Sequence, residues 1–147
     1  MARRARPLGD NVRGYLAGLF DLKGNAYTTR DGKFTAYIMG ISDPQMQRDV
    51  VRWMGGGSHH ETSSDGKRRG CTVHCDHPHI EYSRTTFRFT ISGYRALCVV
   101  HTLEPWMFTW GTKFANAYAE ALQYKPTIVG FSDKVAADMA EKGWELP

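Results

Sequence analysis

No run of apolar residues in this chain is long enough to span a bilayer, and the N-terminus lacks the apolar core of a secretory signal. Neither a helical membrane span nor export is expected, and the sequence reads as intracellular and cytoplasmic. Cysteine is scarce. Cys71, Cys75 and Cys98 make an odd number, which argues against a disulfide scaffold and leaves reduced thiols or a metal site. No internal repeat is present, so a repeat architecture is excluded. Acidic residues are outnumbered, 15 against 19 basic ones, and the net charge of +4 with a pI near 9.1 favours an anionic partner. What is present suits one folded unit: 147 residues match a single domain, and 41% hydrophobic content can build its core.

Residues 1–9 carry Arg3, Arg4 and Arg6 with no apolar periodicity and read as a flexible basic arm; residues 10–147 read as the domain. Asp10 is an N-cap candidate for a first helix in which Val12, Tyr15, Leu16 and Leu19 recur at helical spacing, ending near Asp21. From Asn25 the period changes to two. Ala26 and Thr28 alternate with Asn25, Tyr27 and Thr29, Asp31-Gly32 makes a tight hairpin turn, and Phe34, Ala36 and Ile38 alternate with Lys33, Thr35, Tyr37 and Met39. One face of this hairpin is apolar. The other, with hydroxyl, aromatic and basic groups, has the chemistry of an ordinary wet sheet face and equally that of a surface for phosphates and base edges.

Asp43-Pro44 supplies a cap and an N1 proline for a second helix through Trp53, stopped by Gly55-Gly56-Gly57. Phe87, Phe89 and Ile91 alternate with Thr86, Arg88 and Thr90 as a strand. A third helix runs from Ser92 or Gly93 to Pro105, a fourth is expected over Thr112 to Leu122, and Ser132 caps a last one that Gly143 stops.

The stretch Tyr15 to Gly24 organises this order. Gly14, Ala17 and Gly18 strip side-chain bulk from one side of the first helix, which lets a second backbone approach closely. The run Leu16-Ala17-Gly18-Leu19-Phe20-Asp21, followed by Gly24, resembles the motif of the LAGLIDADG homing endonucleases. The glycines at 55–57, the strand Phe87 to Thr90, Gly93, the helix Arg95 to Leu103 and Pro105 extend the resemblance over roughly residues 12 to 122. It implies an α+β fold of order αββαββα, with a saddle-shaped antiparallel sheet on double-stranded DNA and here extra C-terminal helices. It also implies a homodimer through Gly14, Tyr15, Ala17 and Gly18, since one motif per chain must meet a second. The implied DNA-binding residues are Lys23, Asn25, Tyr27, Thr29, Arg30, Lys33, Thr35, Tyr37, Lys67, Arg68, Arg69, Thr86, Arg88 and Thr90.

In that family the acidic residue directly before the final glycine holds Mg²⁺ beside the scissile phosphate. Here that position is Lys23. A charged ammonium has no lone pair and repels the metal, and it favours the negative end of the helix and a phosphate. Asp21, the one catalytic candidate, lies roughly 200° around a helix of 3.6 residues per turn from Lys23. The family's basic residue after the third helix is matched loosely by Lys113, with Trp110 nearer the expected place. The expectation is a DNA-binding protein without cleavage activity, nucleoid-associated. The alternatives are an active Mg²⁺-dependent site-specific DNA endonuclease and a protein-interaction or structural module in a larger, phage-like assembly.

Between the second helix and the Phe87 strand lies an insertion near residues 64–84. Lys67, Arg68 and Arg69 form a basic turn, and Cys71, Cys75, His77 and His79 have the chemistry of a structural Zn²⁺ set, although the spacing matches no standard finger and a His-rich loop is the plain alternative. The third strand is either residues 57–63, which makes the cluster an insertion at a hairpin tip, or residues 79–83, which puts it beneath the sheet edge.

Overall fold

Helix α1 spans Asp10–Lys23 and starts from Gly9, whose backbone is extended, so the cap expected at Asp10 moves back one residue. Asp10 instead sits in the first turn, where its charge meets the helix N-terminus. The computed structural model describes residues 9–41, 43–54, 58–62, 68–72, 86–124 and 128–147. The helix continues past Asp21 because Gly24 is what ends it: the Gly24 N–H donates to the Phe20 carbonyl, and a Cβ there would lie 2.8 Å from the Phe20 backbone. Only glycine lets the chain step from that turn straight into a strand packed against it.

Strands β1 (Gly24–Thr28) and β2 (Phe34–Ile41) pair antiparallel from Gly24↔Ile38 to Thr28↔Phe34. The connection over 29–33 is longer than the tight turn read from Asp31-Gly32. It closes through the Thr29 N–H on the Lys33 carbonyl at 3.0 Å and the Lys33 N–H on the Thr29 hydroxyl at 3.1 Å. Gly32 has φ +87°, and the Tyr124 ring seats where a Cβ would be, at 2.7 Å. The Tyr124 hydroxyl also donates to the Arg30 carbonyl at 3.2 Å.

Helix α2 (Pro44–Met54) begins as expected, with the Asp43 carboxylate accepting from the Met46 N–H at 3.0 Å. Then come β3 (Ser58–Thr62), β4 (Arg68–Thr72) and β5 (Thr86–Ser92). The sheet has five strands in the order β1-β2-β5-β3-β4, every described pairing antiparallel. This is one strand more than αββαββα provides, because β4 adds to the outer edge of β3. Of the two segments expected to supply the third strand, 58–62 pairs with β5, and 79–83 lies outside the described residues. Arg68 and Arg69, read as part of a basic turn, open a strand instead.

Helix α3 (Tyr94–Leu103) starts at Gly93, φ +71°, whose N–H reaches the Phe34 carbonyl at 2.7 Å. A 3₁₀ turn (Glu104–Trp106) and a π turn (Trp110–Phe114) lead into α4 (Ala115–Leu122). The helix expected over Thr112 to Leu122 therefore begins in a wider turn. Helix α5 (Asp133–Glu141) has Ser132 as its cap, the hydroxyl accepting from Val135 N–H at 3.1 Å. Beyond it Trp144 is buried, the Glu145 N–H donates to Thr102 at 2.8 Å, and the Glu145 carboxylate meets Arg13 at 3.3 Å, which ties the C-terminal turn to α3 and α1.

Leu16, Leu19 and Phe20 of α1, Val50 and Met54 of α2, and Leu97 and Val100 of α3 share one cluster with Phe34, Ala36, Ile38, Phe89 and Ile91. Each fully buried side chain of this size contributes roughly 1.5–3 kcal/mol. The helices thus cover one face of the sheet, and residues of the other parity make up the second. Among the described residues no helix is long and apolar enough to cross a membrane.

Candidate nucleic-acid interface

The second face carries Asn25 and Tyr27 from β1, Tyr37 and Met39 from β2, and Arg88, Thr90 and Ser92 from β5, all exposed or half-exposed. Register sets their neighbours: Asn25, Tyr37 and Thr90 lie side by side, and Met39 lies opposite Arg88. Diagonal neighbours on one face remain within reach of long side chains. Accordingly the Tyr27 and Tyr37 rings are 6.2 Å apart, and the Arg88 guanidinium lies 4.8 Å from the Tyr37 ring centre. An aromatic and cationic row crosses three strands.

The face gathers Asn25, Tyr27, Tyr37, Arg88 and Thr90 as the alternation led one to expect, with Arg30 and Lys33 exposed at the adjoining hairpin tip. Two expected residues do not belong. Thr35 has the right parity but is only 4% exposed, so its hydroxyl presents nothing to a partner. Thr29 is turned into its own loop, bonded to the Asp31 carboxylate and the Lys33 N–H. Thr86 lies in β5 opposite Thr62. Met39 and Ser92 are not among the expected DNA-binding residues, although period-two alternation puts them on this face.

Asp21 is held by the segment after α3. Its carboxylate accepts from the Phe108 N–H at 3.0 Å, the Thr109 N–H at 2.9 Å and the Thr109 hydroxyl at 2.6 Å. Partial burial opposes ionisation, but the Thr109 hydroxyl, the two amides and the nearby Lys113 ammonium outweigh it and hold the carboxyl below its usual range. Lys113 donates to the Asp21 backbone carbonyl at 2.5 Å, so this lysine does reach the end of α1 despite its loose spacing in sequence. Asp21 thus anchors, from another helix, the two amides just ahead of the wide turn at Trp110–Phe114. Lys23, the last residue of α1, is exposed beside the bulge at Gly40. The residues here do not fit Mg²⁺. Lys23 cannot ligate it, and the Asp21 oxygens already accept from three donors. Asp21, the catalytic candidate, is held by these contacts in a structural role beside the Trp110–Phe114 turn.

Along α1, Ala17 is sealed in the core and cannot touch a second chain. Gly14, Tyr15 and Gly18 do line an accessible side. A Cβ on Gly18 would meet nothing within 4 Å, so the monomer itself gives no reason for glycine there. Leu22 at 81% and Phe108 at 99% exposure lie near the end of this helix, with Trp106 close to Gly14.

Of the four Zn²⁺ candidates, Cys71 lies in β4 opposite His59, while Cys75, His77 and His79 lie outside the described residues, as do Lys67 and most of residues 1–9. Among the described residues no cluster of three or more His, Cys, Asp or Glu could hold a metal. No protein-family model matches the chain, and neither a curated protein nor a solved structure matches it.

Proposed function

We propose that this chain is a LAGLIDADG-like double-stranded DNA-binding domain that holds duplex on its open sheet face and does not cut it. The observation that carries the reading is that face: a surface that no helix covers among the described residues, with Asn25, Tyr27, Tyr37, Arg88 and Thr90 in register, flanked by Arg30, Lys33 and Lys23. Sheet order lends support, since β1-β2-β5-β3 is what remains of the observed order once β4 is taken as an insertion on the edge. Lys23 and Lys113 together at the end of α1 make that end attractive to a phosphate and repellent to a divalent metal. The side of α1 bearing Gly14, Tyr15 and Gly18, continued by Leu22 and Phe108, is the surface on which a second copy packs.

The test is duplex binding by gel shift at about 50 and 200 mM salt, with mass in solution measured with and without random duplex. The expected result is a dimer that binds strongly at low salt, binds weakly at high salt, leaves DNA intact in Mg²⁺, and loses affinity on Lys23→Glu. Mg²⁺-dependent nicking would restore the nuclease reading. A monomer with no salt-dependent affinity would instead favour a protein-interaction module.

A further inference from the structure

Among the cations on the sheet face whose side chains are described, Arg88 is held against an aromatic ring. Tyr37 and Arg88 are diagonal neighbours across β2 and β5, and the guanidinium lies over the ring at 4.8 Å. Tyr27, 6.2 Å from Tyr37 on the other side, closes the row and limits how the Tyr37 ring can swing. The Arg88 Nε is buried and has no hydrogen-bond partner. A guanidinium lying over an aromatic face can still direct its outer Nη–H donors to an acceptor brought to the sheet. Its fork matches two acceptors side by side. Phosphate offers such a pair, and in the major groove guanine offers O6 and N7. Arg30 and Lys33, exposed at the hairpin tip, can meet the phosphates that set position; Arg88 stands inside the sheet, between Met39 and the β3 strand at His60, where a contact to a base edge would carry sequence information.

We propose that Arg88, preorganised by Tyr37, reads a guanine in the major groove and is the main specificity-determining residue of this face. The inference rests on the duplex-binding reading above. Immobilising the side chain before contact lowers the entropy lost on binding, so Tyr37 acts as a positioning residue whose effect is on selectivity.

The experiment selects bound molecules from a randomised duplex pool with the wild-type chain and with Arg88→Lys, Arg88→Gln, Tyr37→Phe and Tyr37→Ala, then sequences them. Wild type is expected to enrich guanine at one position per half-site. Arg88→Lys should lower that preference by about 5- to 150-fold while affinity for unselected duplex holds. Arg88→Gln should shift the preference towards adenine, for which glutamine has the matching donor and acceptor. Tyr37→Phe should retain the guanine preference, and Tyr37→Ala should relax it. A guanine preference that survives Arg88→Gln overturns the inference. So does an Arg88→Gln loss that is equal over all sequences and lowers the salt slope by about 1, which marks a phosphate contact. A wild-type chain that binds duplex but enriches nothing also overturns it, with duplex binding intact; a wild-type chain that binds no duplex removes the parent reading.

Discussion

Replacing Asp21 separates a structural carboxylate from a catalytic one. Three donors converge on its two oxygens: the Phe108 amide on one, the Thr109 amide and hydroxyl on the other. Asp21→Ala leaves two amides at the start of the Trp110–Phe114 turn without their acceptor, a loss comparable to removing a strong helix cap. Since the site is partly exposed and water replaces some of the bonds, the cost is about 2 kcal/mol. For a domain of this size that lowers the melting temperature by about 4–8 °C. Asp21→Asn keeps one acceptor oxygen for Thr109 but turns an amide towards the Phe108 N–H, so about half the loss is expected. The pH dependence follows from the same contacts. Folding lowers the carboxyl below its ordinary value of 3.8, so the unfolded chain binds more protons in the window between the two values. This contribution is complete above about pH 5 and is lost as pH falls through the folded value. Asp138 behaves alike: burial opposes its ionisation, and Arg95 at 2.5 Å and Lys142 at 3.0 Å more than offset it. Thermal unfolding by circular dichroism between pH 7 and pH 3 should show an acid limb for wild type that is shallower in Asp21→Asn. Melting temperatures for Asp21→Ala within about 1 °C of wild type, with an unchanged acid limb, would refute the structural role.

Gly24→Ala drives a methyl to 2.8 Å from the Phe20 backbone; it should lower stability by more than about 2 kcal/mol, whereas Gly18→Ala, with open space in the interior of the same helix, should raise monomer stability by about 0.5–1 kcal/mol. Denaturant titration of both variants checks the contrast. Burial pushes the Cys98 thiol up to about 11, more than its contacts with Tyr94 and Arg95 pull it down. Iodoacetamide at pH 8 should therefore leave Cys98 unmodified in the folded chain and label it in denaturant, as read by peptide mass mapping.

How far the sequence disclosed this fold depended on whether a signal was local. Period-two alternation on Asn25–Met39 and Thr86–Ile91 placed both faces of the central strands, and the caps at Asp43 and Ser132 were read directly. Thr35 escaped because alternation gives the side of a residue, not its depth. Ala17 was misread for a related reason: small residues at adjacent positions of a helix point in different directions, and Ala17 points inwards while Gly14 and Gly18 do not. The attachment of Asp21 to Phe108 and Thr109 joins segments separated along the chain by five strands and two helices, and no spacing rule anticipates such a pair. The strand at Arg68–Thr72 was hidden by its composition, since two arginines and a glycine read as a turn and only pairing to β3 makes them extended.

The strand order has a consequence for how the chain reaches its native state. β2 is an interior strand of the sheet, yet its second neighbour, β5, is made only after α2, β3 and β4. During synthesis the β1–β2 hairpin therefore exists for a time with the Thr35–Ile41 edge unsatisfied and its apolar side uncovered by α3. Pairings so distant along the chain fold slowly and leave adhesive edges in the interval. Conditions that stall elongation between Ile41 and Thr86, or crowd many nascent copies together, should raise aggregation of this protein far more than they alter the stability of the finished molecule.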